Sequence, residues 1–130
     1  MIIKTSNAPK AIGPYSQAVD TGSVIYISGC CPFSVEDSSV AGIDIEEQTK
    51  QAMDNLQAIV AAADQTMSNI VKTTCFISDL ENFTQFNAVY SSYFIEGNFP
   101  ARSCVEVSRL PKDVLIEIEA IVYKQENNQC

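Results

Sequence analysis

The chain has 130 residues, 46% of them hydrophobic, with 8 Lys and Arg against 16 Asp and Glu, a net charge of −8 and no histidine. That length and apolar content suit one compact domain with a real core, and the acidic balance disfavours nucleic acid as the principal partner, because phosphate binding rests on clustered Lys and Arg. Without an imidazole, Ser-His-Asp and Cys-His nucleophile activation and His-dependent zinc sites fall away.

At the start of the chain, Met1-Ile2-Ile3-Lys4 runs into polar residues rather than an apolar signal core. No apolar run approaches the roughly 20 residues that span a bilayer, so a cytoplasmic protein with no membrane partner is expected. Tyr15 to Asp20 and Val24 to Ser28 flank Thr21-Gly22-Ser23, the pattern of a β-hairpin. The five cysteines are odd in number and lack a Cys-x-x-Cys pair, and the vicinal Cys30-Cys31 disfavours an unstrained bridge. A reducing compartment follows.

Ile45, Thr49, Ala52, Leu56, Ile59, Val60 and Ala63 form a helical stripe, with Asp44 and Glu47 in capping-box spacing at its start. Ile70 to Ser78 is β-rich. Asn82 and Gln85 are placed to cap a second helix whose Phe83, Phe86, Tyr90, Tyr93 and Phe94 share an apolar arc, ending before Phe99-Pro100. Arg102 to Ser108, a turn at Leu110-Pro111-Lys112-Asp113 and Val114 to Tyr123 close the domain at residue 124, leaving 125–130 as a polar tail. This order predicts an α+β fold, a mixed sheet with both helices on one face.

Arg102 is one of only two arginines. A planar, permanently charged fork at the mouth of a strand is suited to a carboxylate or phosphate. If the last two strands pair as an antiparallel hairpin, Arg102, Cys104, Glu106, Glu117 and Glu119 share the face away from the helices. On a wet surface such Arg-Glu pairs contribute under about 1 kcal/mol. Leu115, Ile121 and Tyr123 on the same face point instead to a subunit interface.

The chain resembles the RidA/YjgF enamine/imine deaminases over nearly its whole length. The resemblance is carried by Ala11-Ile12-Gly13-Pro14-Tyr15-Ser16-Gln17-Ala18-Val19, Ser28-Gly29, Val71-Lys72-Thr73-Thr74, Phe86-Asn87-Ala88-Val89-Tyr90, Pro100-Ala101-Arg102-Ser103-Cys104-Val105-Glu106-Val107, Leu110-Pro111-Lys112-Asp113 and Ile116-Glu117-Ile118-Glu119-Ala120-Ile121. It implies a chorismate mutase-like fold, a homotrimer with a central barrel, and active sites in the clefts between subunits. It implies hydrolysis of 2-imino acids such as 2-iminobutanoate and 2-iminopropanoate to 2-oxo acids and ammonia, with no cofactor and no metal.

By motif position, Arg102 corresponds to the carboxylate clamp and Glu117 to the group that positions or activates water. The Cys104 backbone helps hold that water, the Gly29 backbone contacts the substrate, and Tyr15 and Asn87 line the cleft. The chain departs from the family where Cys30-Cys31 replaces glutamine and an aliphatic residue before Pro32, and where Asp64 replaces a glycine after the first helix. Nothing cationic lies near the paired thiols in sequence to make a thiolate for redox sensing. The rival expectations are a non-catalytic small-carboxylate-binding or chaperone-like module and, against the charge balance, a ribonuclease or translation inhibitor.

Overall fold

The structure, a computed structural model, describes residues 1–125. Among these, the strands are β1 (Ile2–Ile3), β2 (Ala18–Asp20), β3 (Val24–Cys30), β4 (Ile70–Ile77), β5 (Ala101–Glu106) and β6 (Ile116–Tyr123), and the helices are α1 (Ile45–Ala62) and α2 (Phe83–Ser91). The strands form one sheet in the order β1-β2-β3-β6-β4-β5, antiparallel throughout except where β4 and β5 run parallel. Both helices cover the same face, as expected for the mixed α+β architecture.

The hairpin turn and α1 form where the pattern places them, although β2 begins only at Ala18 rather than at Tyr15. At the start of α1, the Glu47 N–H donates to Asp44 Oδ1 (2.8 Å), while Glu47 Oε2 accepts from the Ile43 N–H (2.9 Å), one residue ahead of the usual capping-box partner. The helix ends in a Schellman motif: the Asp64 N–H reaches the Ala61 carbonyl and the Gln65 N–H reaches that of Val60, with Asp64 left-handed at φ 58°. Asn82 does not cap α2 with its side chain. The helix instead enters from a 3₁₀ turn over Leu80–Asn82, capped by Asp79, whose Oδ1 accepts from the Glu81 N–H (2.9 Å).

The expected closing hairpin does not exist. β4 lies between β5 and β6, pairing parallel with β5 and antiparallel with β6, and α2 is the crossover that makes the parallel pair possible. Register then assigns the faces. Thr73 and Cys75, both buried on the helix-covered side, pair with Arg102 and Cys104 on one flank and with Ala120 and Ile118 on the other. Thr74 and Phe76 face away and pair with Glu119 and Glu117. Arg102 and Glu117 therefore occupy opposite faces of the sheet, because a single intervening strand sets the phase of each neighbour independently.

The main core joins Ile25, Met53, Leu56, Val60, Ile77, Phe86, Ile116, Ile118 and Val122, all fully buried between the sheet and the helices. Leu115 packs onto this core rather than onto the open face, and Val114 joins a small separate cluster with Cys31 and Leu110, since β6 begins only at Ile116. The open face still carries apolar side chains: the paired row Ile2, Val19, Tyr26, Ile121 crosses four strands, and Ile2, Val19 and Tyr26 are exposed. Residues 126–130 of the expected tail lie outside the described residues, while the Gln125 N–H donates to Gln65 Oε1 (3.2 Å).

Candidate active site

The expected site residues fall into two groups. The first surrounds Arg102 at the β5 edge, under α2. Its guanidinium carbon lies 4.9 Å from the centroid of the Tyr90 ring, 5.4 Å from Phe83 and 5.6 Å from Phe86. Those rings face it because i, i+3 and i+4 spacing aligns them on one side of the helix. Asn87, one turn after Phe83, accepts a hydrogen bond from Arg102 Nη1 at its Oδ1 (2.7 Å). Tyr90 is fixed in turn by a 2.7 Å hydroxyl contact with Thr73 Oγ1.

No carboxylate among the described residues pairs with Arg102; the ion pairs there are Lys50–Asp54, Arg109–Asp113 and Lys124–Asp20. Glu106, expected near it, accepts the Leu80 N–H instead (2.9 Å). A half-buried guanidinium with one neutral partner keeps donors for a planar anion and gains strongly from binding one. Cys104 is the next inward residue on β5, and burial pushes its thiol pKa up against the opposing pull of Arg102. Its side chain is a neutral packing group.

The second group lines a cleft of about 750 Å³ beside the end of β3, walled by Tyr15, Gly29, Cys31, Phe33, Lys112 and Glu117 among others. A bulge between Ile27 and Cys30 shifts the β3–β6 register here and brings Ser28-Gly29 over Glu117. A Cβ at Gly29 would stand 2.7 Å from Glu117 Oε2. Only a residue without a side chain leaves that carboxylate its position. Glu117 Oε1 accepts from the Cys31 thiol (3.0 Å). Tyr15 reaches the cleft from a turn before β2, not from the strand the alternation predicts, and Gln17 ties this N-terminal segment down through Thr5 and Pro9. A second cavity, about 530 Å³ beside Gly22, Asp64 and Lys124, contains none of the expected site residues.

Tyr15, Gly29 and Glu117 thus gather at the cleft, and Arg102, Asn87 and Cys104 lie outside it. Arg102 and Glu117, one from each group, lie on opposite faces of the sheet.

Residues 5–124 match the family described as Endoribonuclease L-PSP. A protein of Escherichia coli named 2-iminobutanoate/2-iminopropanoate deaminase is 52% identical over 125 residues, covering 95% of this chain and 97% of that protein. The chain belongs to the RidA/YjgF family. The solved structure of the YjgF gene product of Escherichia coli superposes on this RidA/YjgF chain with a TM-score of 0.91 at 50% identity, covering 96% of this chain and 99% of that one. Escherichia coli TdcF, solved with bound serine, gives 0.90 at 43% identity over 96% and 99%.

Sequence reasoning missed three features of the RidA/YjgF chain's site. The aromatic arc of α2 reads as core alone, yet it also cradles Arg102. The Cys31–Glu117 contact joins residues 86 apart and has no sequence signal. Asn55, buried on α1, donates to the Cys31 and Phe33 carbonyls (both 3.0 Å) and so fixes the cleft loop to the helix; an asparagine inside an apolar stripe was its only trace.

Proposed function

We propose that the chain hydrolyses reactive 2-imino acids and their enamine tautomers, 2-iminobutanoate and 2-iminopropanoate among them, to 2-oxo acids and ammonia, at sites shared between protomers of a homotrimer. Arg102 carries this reading: a guanidinium stacked among three rings, held by Asn87 and without a carboxylate partner among the described residues, is a receptor for a small carboxylate. The deaminase name borne by a 52% identical relative and the serine bound to TdcF agree with a small amino-acid-like ligand.

The sheet separates Arg102 from Glu117, so one protomer cannot aim both at one small acid. A cyclic assembly can, with the β5 edge of one protomer set against the cleft of the next. The apolar row Ile2, Val19, Tyr26, Ile121 gives the open faces a reason to pack together into a central barrel.

In such a site Arg102 grips the substrate carboxylate through its remaining N–H donors, with the Cys104 backbone and Asn87 beside it. Tyr15 and the Gly29 backbone close the cleft around the reacting carbon. Water adds through its oxygen to C2 of the iminium as Glu117 takes the water proton, and the C=N π pair moves to nitrogen. Glu117 returns the proton to that nitrogen, the C2–N bond breaks, and the hydroxyl oxygen closes to a carbonyl, its proton leaving with ammonia as ammonium. The iminium is already electrophilic, so orientation supplies most of the acceleration and neither histidine nor a protein nucleophile is needed.

The test generates 2-iminobutanoate with an amino-acid oxidase and follows its lifetime with a semicarbazide trap. Added protein shortens the lifetime, and Arg102→Ala does not. The serine held by TdcF favours a second reading, carboxylate binding without turnover. An unchanged imine lifetime together with measurable 2-oxobutanoate binding would establish that one instead.

A further inference from the structure

The Cys31 thiol donates to Glu117 Oε1 (3.0 Å), and Glu117 Oε2 is the atom that stands against Gly29. One oxygen of the carboxylate is therefore tethered and the other turned to the glycine side of the cleft. The tether is itself rigid. Asn55 Nδ2 holds the carbonyls on either side of Pro32, and Asn55 Oδ1 accepts from Gln51 Nε2 (2.9 Å), so the thiol is referenced to the axis of α1. Cys31 is 8% exposed and packs with Leu110 and Val114, which leaves its S–H little freedom to turn elsewhere.

We infer that Cys31 is a positioning residue for Glu117: its S–H holds Oε1 so that Oε2 faces the water to be deprotonated, an inference that rests on the reading of Glu117 as the base. The thiol suits the task because it stays protonated. Burial first, then the neighbouring Glu117, pushes its pKa well above the ordinary 9.0, so it is a donor across the working range and not a nucleophile. A thiol is also a weak donor, which orients the carboxylate without binding it tightly. The other titratable groups at this cleft are Lys10, Tyr15, Cys30, Lys112 and Glu119, and they are common to every variant compared below.

The test uses the full chain with Cys31→Val, which keeps bulk and removes the donor, and Cys31→Ser, which keeps a donor. In Cys31→Val, kcat for imine hydrolysis falls about tenfold with KM little changed, the size expected for losing a hydrogen bond to a charged group. Cys31→Ser, which still offers a donor to Glu117, retains most of kcat. Independently of activity, the infrared S–H stretch that disappears in Cys31→Val shifts to higher frequency in Glu117→Ala as the hydrogen bond is lost.

Wild-type kcat in Cys31→Val, equal losses of kcat in both variants, or an S–H band indifferent to Glu117→Ala would each overturn the inference. If Glu117→Gln abolishes hydrolysis while the Cys31 variants match wild type, the deaminase reading stands and only the role of Cys31 falls. A wild type inert toward imines removes both.

Discussion

Alanine at position 29 puts a methyl carbon 2.7 Å from Glu117 Oε2, 2.8 Å from Cδ and 2.9 Å from Cγ. Carbon contacts are relaxed near 3.5–4.0 Å, so the carboxylate must withdraw by roughly 0.6–0.8 Å or more. The backbone does not oppose the substitution, since Gly29 is not among the residues with positive φ. Glu117 cannot pivot freely, because Oε1 is held by the Cys31 thiol. It must break that bond or leave its rotamer, which costs about 0.5–1.5 kcal/mol, and Gly29→Ala should lose about 1–2 kcal/mol of stability in all. Activity should suffer more: a displacement near 1 Å in a reacting group lowers the rate by about a hundredfold. Imine-trap kinetics and thermal melts on the same preparation separate the two effects. Wild-type kcat in Gly29→Ala, beside an inactive Glu117→Gln, would refute the close Gly29–Glu117 packing as a requirement for catalysis.

Arg102→Lys should lower kcat/KM for 2-iminobutanoate by about a hundredfold, since a point charge replaces a bidentate fork, while unfolding free energy falls by only about 1 kcal/mol, because the Asn87 hydrogen bond and the stacking on the α2 rings are lost but no carboxylate is left unpaired. Asp64→Gly should stabilise the fold by about 0.5–1 kcal/mol in urea unfolding, because Asp64 is left-handed at the α1 terminus; an unchanged midpoint would mean that its side chain offsets the backbone cost. Burial pushes the Cys30 and Cys75 thiols from 9.0 up to about 12. The unfolded chain then loses these protons first, so stability is fully present below pH 9 and declines as pH rises from about 9 to 12. Cys75→Val should flatten that decline, measured as unfolding free energy against pH.

The sequence was most legible where one element decides its own burial. The α1 stripe and the β2–β3 hairpin carry their periodicities locally, and α1 spans Ile45–Ala62 as its pattern indicates. Alternation in β5 and β6 was equally clear, yet it gives only parity. Which parity faces the helices depends on the neighbouring strand, and β4, some 25 residues earlier in the chain, takes the place between them. The short Pro111 turn imitates a hairpin and conceals this. The family motifs name their side chains without that topology, so Arg102 and Glu117 were read as a pair while their separation by the sheet was not. The Cys31–Glu117 tether depends on a bulge at Ser28-Gly29, a backbone irregularity that hydrophobic patterning does not encode.

Arg102 and Glu117 on opposite faces of one sheet make the shared site the claim most open to a direct test. Arg102→Ala and Glu117→Gln protomers with different affinity tags are co-expressed, and assemblies carrying both tags are purified and assayed for 2-iminobutanoate hydrolysis. Each pure variant should be inactive, and the doubly tagged assembly should recover about one third of wild-type activity, because one interface in three of a mixed cyclic trimer joins an intact Arg102 to an intact Glu117. Doubly tagged trimers as inactive as the pure variants would contradict a site built from two protomers.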